Sequence, residues 1–387
     1  MTTFDPQEAL KELRERAYDM PDGDAKIELL EQAVRLADTV GDLETAFDVR
    51  DDLVNAASVW GRPEIELVAF SWCLAQFDAD PERFAYWEHS LMWSYKRVLM
   101  SMMGFPEISL PRIEAAFADF RSRLERSNQP LGTYYEYRLR LALHRSDTLE
   151  AEAAHKEFRH FNRASDLDCR ACQLQSEVNY QGFLGDDAAT LQAAAPLLVR
   201  YAPTCNRVPN ATHAKLLLPL LRLGKIKDAA KHHRDYPKLM KDEGSVAFIA
   251  QHLEFLGYLG DLTAALNLLE KHLPWAYRTR DLNGRYVFLR ATLPLFARLR
   301  SSGENTLKLR LDCDFSYFQK NGEYGLDTLE NQIRTDLLEV AAKFDARNGN
   351  NSFSSRIEPD RELLERPAQL LPEEKPKAKK PSNSLKG

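Results

Sequence analysis

The chain has 387 residues, of which 44% are hydrophobic and 28% charged. That is about two to three times a single-core domain, so several cores or one elongated array are expected. Its 52 basic and 58 acidic side chains leave a net charge of −6, which does not make nucleic acid the default partner. No apolar run approaches the roughly 18 residues of a membrane span, the first residues lack the basic flank and apolar core of a secretion signal, and five cysteines cannot build a secreted-type disulfide framework. A cytoplasmic chain without a membrane span is expected.

Charge is unevenly spread. Residues 1–60 carry 15 acidic and 6 basic side chains, a net of −9, whereas residues 201–310 carry 9 acidic and 18 basic, a net of +9. Leucine outnumbers valine and isoleucine together more than twofold, a supply that favours helix over strand.

From the N-terminus, Asp5 before Pro6 is a helix start with proline at the first helical position. Apolar stripes at helical spacing run through Ile27–Ala37, Ile113–Leu124, Leu216–Leu223 and Leu262–Ala276, and glycines at 41, 61, 185, 224 and 260 close periodic segments. About fifteen helices are expected. Between Arg62 and Asn128 the register is less regular: a turn at Asp80 fits the spacing, yet a long helix is expected from Pro81 to about Met102. Trp72, Trp87 and Trp93 fall here and are read as core aromatics.

A repeat is visible beyond this point. Ser146-Asp147, Gly185-Asp186, Gly224-Lys225 and Gly260-Asp261 lie 39, 39 and 36 residues apart, and Gly41-Asp42 has the same form. Five residues after the turn stands a small residue, Ala46, Ala151, Ala229 or Ala265, with Thr190 the exception. Alanine on the inner face lets a helix pack closely on its predecessor, and hairpins repeated in this way bury a continuous core only by stacking.

In these turn-and-alanine units the chain resembles the tetratricopeptide repeat family, over roughly Thr133–Ala276 with a further unit near Lys26–Leu53. It departs in lacking the Leu-Gly pair of the first helix and in repeats longer than the usual 34 or so residues. The expected fold is all-α, an α-α superhelix of tetratricopeptide-like hairpins; another α-solenoid is the alternative. Four segments are expected: irregular hairpins over 1–128, repeats over 129–300, an extended segment and capping helix over 301–347, and a disordered tail over 348–387. The period-two alternation from Leu307 to Phe315 predicts a lone extended segment, and Asp327–Phe344 a final helix. Lysines 375, 377, 379 and 380 sit in the tail.

The sharpest chemical signal is Cys169-x-x-Cys172 at a helix start, which places two sulfurs on one face. If first helices of successive hairpins lie side by side, Cys205 and His213 complete a structural zinc set; buried or redox-capable thiols are the other reading. The adjacent His232 and His233 are read as surface or interface side chains. No phosphate loop, zinc-protease pair or nucleophile elbow is present, so an enzyme is not expected and no cofactor is required. A protein-binding scaffold that receives a peptide or helix in its groove is the leading functional expectation; the tetratricopeptide resemblance implies that Asn179, Lys215 and Arg222 stand at inner positions of its helices, a polar and cationic lining suited to a carboxylate. A sensor that binds a small peptide or metabolite and signals through a partner protein is the alternative.

Overall fold

Residues in the left-handed region end helix after helix, and an aspartate commonly opens the next. Gly41, Ser146, Gly185, Gly224 and Gly260 have φ of 78°, 56°, 77°, 71° and 88°, a conformation that glycine adopts without strain. Asp42, Asp186 and Asp261 then accept a backbone N–H of the following first turn, replacing a bond the helix cannot make internally. The computed structural model describes residues 5–161, 167–205, 207–235, 243–312 and 315–372.

Among the described residues the protein is all-α apart from one small ribbon. In the first half the helices are α1 (Pro6–Asp19), α2 (Asp24–Val40), α3 (Leu43–Trp60), α4 (Pro63–Ala79), α5 (Glu88–Met103) and α6 (Leu110–Arg126). Next come α7 (Gly132–Arg145), α8 (Thr148–Phe161), α9 (Arg170–Leu184), α10 (Asp187–Ala194), α11 (Asn210–Arg222), α12 (Ile226–Asp235), α13 (Val246–Leu259), α14 (Leu262–Arg278) and α15 (Leu282–Ser301). Strands β1 (Thr306–Lys308) and β2 (Glu323–Gly325) precede α16 (Leu326–Asn348) and α17 (Arg361–Glu365).

Packing follows the repeated turns. Helix α7 packs on α8 and α9, α9 on α10 and α11, α11 on α12 and α13, and α13 on α14 and α15. Ala46, Ala151, Thr190, Ala229 and Ala265 are all buried, so the small residue five positions beyond each turn lies at a close helix contact. Helices α13 and α15 approach closely, so that a Cβ on Gly257 would stand 2.8 Å from the Leu295 nitrogen. Apolar side chains from Ala171 to Leu363 form one large core and those from Ala17 to Leu167 another.

Three expectations are corrected. The helix expected from Pro81 begins at Glu88, after a turn in which the ring of Phe84 stacks on Phe47 at 4.8 Å and buries itself. The extended segment is not alone: Leu307 faces Tyr324 across an antiparallel pair, both buried, and Cys313 lies outside the described residues. The tail does not start at 348. Phe353, Ile357 and Leu363 are buried, Tyr286 donates to the Phe353 carbonyl at 2.7 Å, and Arg298 to the Arg366 carbonyl at 2.8 Å. From there the chain runs along the α13–α14 turn, with the Gln369 N–H on the Leu259 carbonyl and the Leu371 N–H on Asp261. Its four lysines lie outside the described residues.

The two halves also meet. The Leu282 N–H donates to the Gly104 carbonyl, Arg347 donates to the carbonyls of Met103 and Phe105, and Asn350 to that of Arg145. The start of α15 and the end of α16 therefore cover the carbonyl ends of α5 and α7.

Candidate functional site

Cysteine at the N-cap of α9 sets the local geometry. The Cys169 sulfur accepts the Cys172 N–H at 3.4 Å, which turns both sulfurs of the Cys-x-x-Cys segment toward one side. Cys205 reaches the same place from the connection between α10 and α11, its sulfur 3.6 Å from that of Cys172. All three sulfurs lie within 4.8 Å of one another, the one group of three or more such ligand atoms that close together among the described residues. The contact with Cys172, helped by the backbone N–H groups of Arg207 and Val208, lowers the Cys205 thiol. The same contact and burial hold the Cys172 thiol well up, and burial raises Cys169.

His213 does not join them. It lies one turn into α11 and faces α12, where its Nδ1 meets that of His232 at 2.6 Å. The neighbouring His233 meets His252 of α13 at 3.0 Å. The pair read as surface or interface side chains thus connects α12 to two different helices, as the roughly 100° step between adjacent helical residues requires.

A buried charged network adjoins the cysteines, and sequence reasoning missed it. Lys96 of α5 pairs with Asp168 at 3.1 Å, with side chains 3% and 4% exposed, and its ammonium sits 3.5 Å from the centre of the Trp93 ring. Asp168 in turn accepts the Cys169 N–H at 2.8 Å. Arg140 of α7 and Ser176 of α9 both donate to Glu136 of α7, at 2.5 and 2.7 Å, and burial lifts Glu136 to about 7. The only signal in the sequence was a lysine inside the apolar run from Leu91 to Met100.

The expected carboxylate-receiving residues are engaged within the chain. Arg222 makes paired hydrogen bonds to Asp187 at 2.8–3.1 Å, and its carbonyl accepts from Arg366. Lys215 is half-buried, its stem against Gly182 and its charge near Glu254. Asn179 accepts from Gln175. The carboxylates these cations meet are the protein's own.

An open groove of about 800 Å³ lies instead between α1, α2 and α3. Its lining includes the buried Leu10, Ala17 and Leu30 and the exposed Tyr18, Glu15 and Asp19. Tyr18 is 87% exposed at the edge of this apolar floor. Comparison with models of protein families gives no match, and neither does comparison with curated proteins. No helix of the described residues is long and apolar enough to cross a membrane.

Proposed function

We propose that this protein is a non-catalytic, cytoplasmic association module built of tetratricopeptide-like hairpins, and that its α1–α3 groove binds a basic amphipathic segment of another protein. The groove carries the proposal. Leu10, Ala17 and Leu30 supply an apolar floor, Tyr18 and Val59 are exposed at its edge, and the acidic Glu15, Asp19, Asp22, Asp42 and Asp52 outnumber the basic Lys11, Arg14 and Lys26 in its lining. An occupant with apolar anchors on one face and lysine or arginine on the other matches both features. The turn-and-alanine pattern and the contacts between alternate helices from α7 to α15 support the tetratricopeptide-like reading. Groove binding calls on no cofactor.

The test is binding of synthetic amphipathic helices, one set with a basic polar face and one acidic, followed by fluorescence anisotropy. The basic set binds, more weakly as salt rises, and Tyr18→Ala with Asp19→Lys lowers its affinity at least tenfold. Equal affinity for both sets, or a double variant that binds as tightly as the unaltered chain, rejects the groove as the binding surface.

A further inference from the structure

We propose that Cys169, Cys172 and Cys205 form a three-thiolate site for a soft divalent cation, zinc, whose fourth ligand comes from outside the trio. The site is independent of the α1–α3 groove and would stand if binding there failed.

Geometry comes first. Tetrahedral coordination with Zn–S bonds of about 2.3 Å sets sulfurs roughly 3.8 Å apart, close to the 3.6 Å between Cys172 and Cys205. At that distance the two sulfurs touch without being bonded, since a disulfide requires about 2.05 Å. A disulfide would also use two sulfurs and leave the third beside it; one ion uses all three, each within 4.8 Å of the others.

Backbone donors and nearby cations favour thiolates here, against the burial and the Asp168 charge that raise Cys169 and Cys172. Backbone N–H groups point at two of the sulfurs: that of Cys172 at Cys169, and those of Arg207 and Val208 at Cys205. Cys169 caps the N-terminus of a 15-residue helix, the end whose unpaired N–H groups favour negative charge. Three thiolates and a dication carry one net negative charge, and two cations, Lys96 and Arg140, stand close enough to Cys172 to feel it. Asp168 holds the Cys169 N–H and Lys96 together, so it orients a ligand without touching the ion. Sulfur donors select zinc over the hard cations calcium and magnesium.

The ion would tie the start of α9 to the connection leading into α11, and so fasten one hairpin to the next. Because the three sulfurs supply three of four tetrahedral positions, the last is taken by water, a small thiol or a side chain of another molecule.

The full chain, purified in reductant without added metal, is analysed for zinc, stripped, and titrated with zinc against a chromogenic chelator. One zinc per chain is expected, with three thiols shielded from alkylation until the ion is removed. Cys172→Ser abolishes stoichiometric binding and Asp168→Asn weakens it about 10- to 100-fold, whereas Cys73→Ser, at a buried thiol on the Phe47 carbonyl of α3, leaves it unchanged. In the cobalt-substituted protein a small thiol shifts the thiolate-to-metal absorption band; no shift at saturation would place the fourth ligand within the chain and overturn that part. Failure of the reduced, unaltered chain to compete for zinc, or a Cys172–Cys205 disulfide in protein kept reduced, overturns the site, and neither outcome depends on a variant folding.

Discussion

Arg347 and His144, 203 residues apart in sequence, are joined side chain to side chain, a guanidinium nitrogen donating to the imidazole Nε2 at 2.8 Å. Arginine has no lone pair to offer, so the bond requires His144 to be unprotonated at that nitrogen. Phe344 and Phe353 stand edge-on to the imidazole at 5.4 and 5.2 Å. Burial and the Arg347 charge together push His144 down to about 3. One contact therefore joins the end of α7 to the end of α16 and fixes the charge state of an imidazole.

Acid should weaken the fold through such histidines. His233 and His272 are also held near 4, chiefly by burial, whereas an unfolded histidine titrates near 6.5. Above about pH 6.5 both states are neutral and these groups add no pH dependence. As pH falls from there toward 4, the unfolded chain takes up protons that the folded one refuses, and stability declines; His144 alone accounts for roughly 2 kcal/mol by about pH 5. Urea unfolding across this range, compared with His144→Gln, which keeps an acceptor for Arg347, should show the variant losing less stability on acidification. Parallel profiles would mean that His144 is protonated in the folded protein.

Removing the Arg347 guanidinium should cost more than an exposed arginine would. It leaves the Met103 and Phe105 carbonyls without this donor, and Arg347→Ala is expected to destabilise by about 2–3 kcal/mol. Arg310, whose side chain is 94% exposed, serves as the control and should move by less than about 0.5 kcal/mol on replacement. Equal midpoints for the two variants in denaturant would show that the α5–α16 junction adds little.

The Lys96–Asp168 pair should show strong coupling. Lys96→Met strands a buried carboxylate and Asp168→Leu a buried ammonium, each at about 3–5 kcal/mol, while the double replacement recovers much of the loss. A double-mutant cycle at high reductant, with zinc held saturating or fully chelated throughout, separates this coupling from the metal. Additive losses would indicate that the two charges reach water separately.

Phe353→Ala tests whether residues after α16 belong to the folded body. The ring stacks on Phe344 at 4.6 Å and meets Tyr286 at 4.8 Å, so truncation should cost about 3–5 kcal/mol. A melting temperature within a degree of the unaltered chain would return this segment to the tail.

Gly61→Ala is expected to destabilise by about 1–3 kcal/mol. Its φ is +75°, and the added Cβ would lie 2.8 Å from the Gly244 Cα, so conformational strain and a backbone clash act together. Gly303→Ala has the same sign of φ, +84°, but nothing within 4 Å, and should show the strain alone. Equal losses at both positions would argue against close packing of the α3 end on the turn before α13.

What could be read in advance was local. A glycine followed by aspartate fixes a helix end by its own φ and its own side chain, so the turns at 41, 185 and 260 and the alanines after them were visible without knowing any distant contact. The meeting of Cys169, Cys172 and Cys205 was also legible, since it follows from one helix N-terminus and one nearby connection. His213 was misplaced because helix rotation decides which neighbour a residue meets, and rotation is set by packing across three helices. Lys96 and Asp168 are 72 residues apart, and only the fold brings an apolar-run lysine to a loop aspartate. Average composition concealed the end of the chain: Phe353, Ile357 and Leu363 are sparse among polar residues, yet each finds a place in the core.

The junction at Met103, Gly104 and Phe105 has a bearing on biosynthesis. Those carbonyls leave the ribosome more than 170 residues before Leu282 and more than 240 before Arg347, the donors that later seal them. Through most of translation the first half waits with that edge wet, and the final seal is a long-range closure, the slowest kind of contact to form. A nascent chain arrested before α16 should accordingly be digested at the 103–109 connection by a protease that spares the released, finished protein.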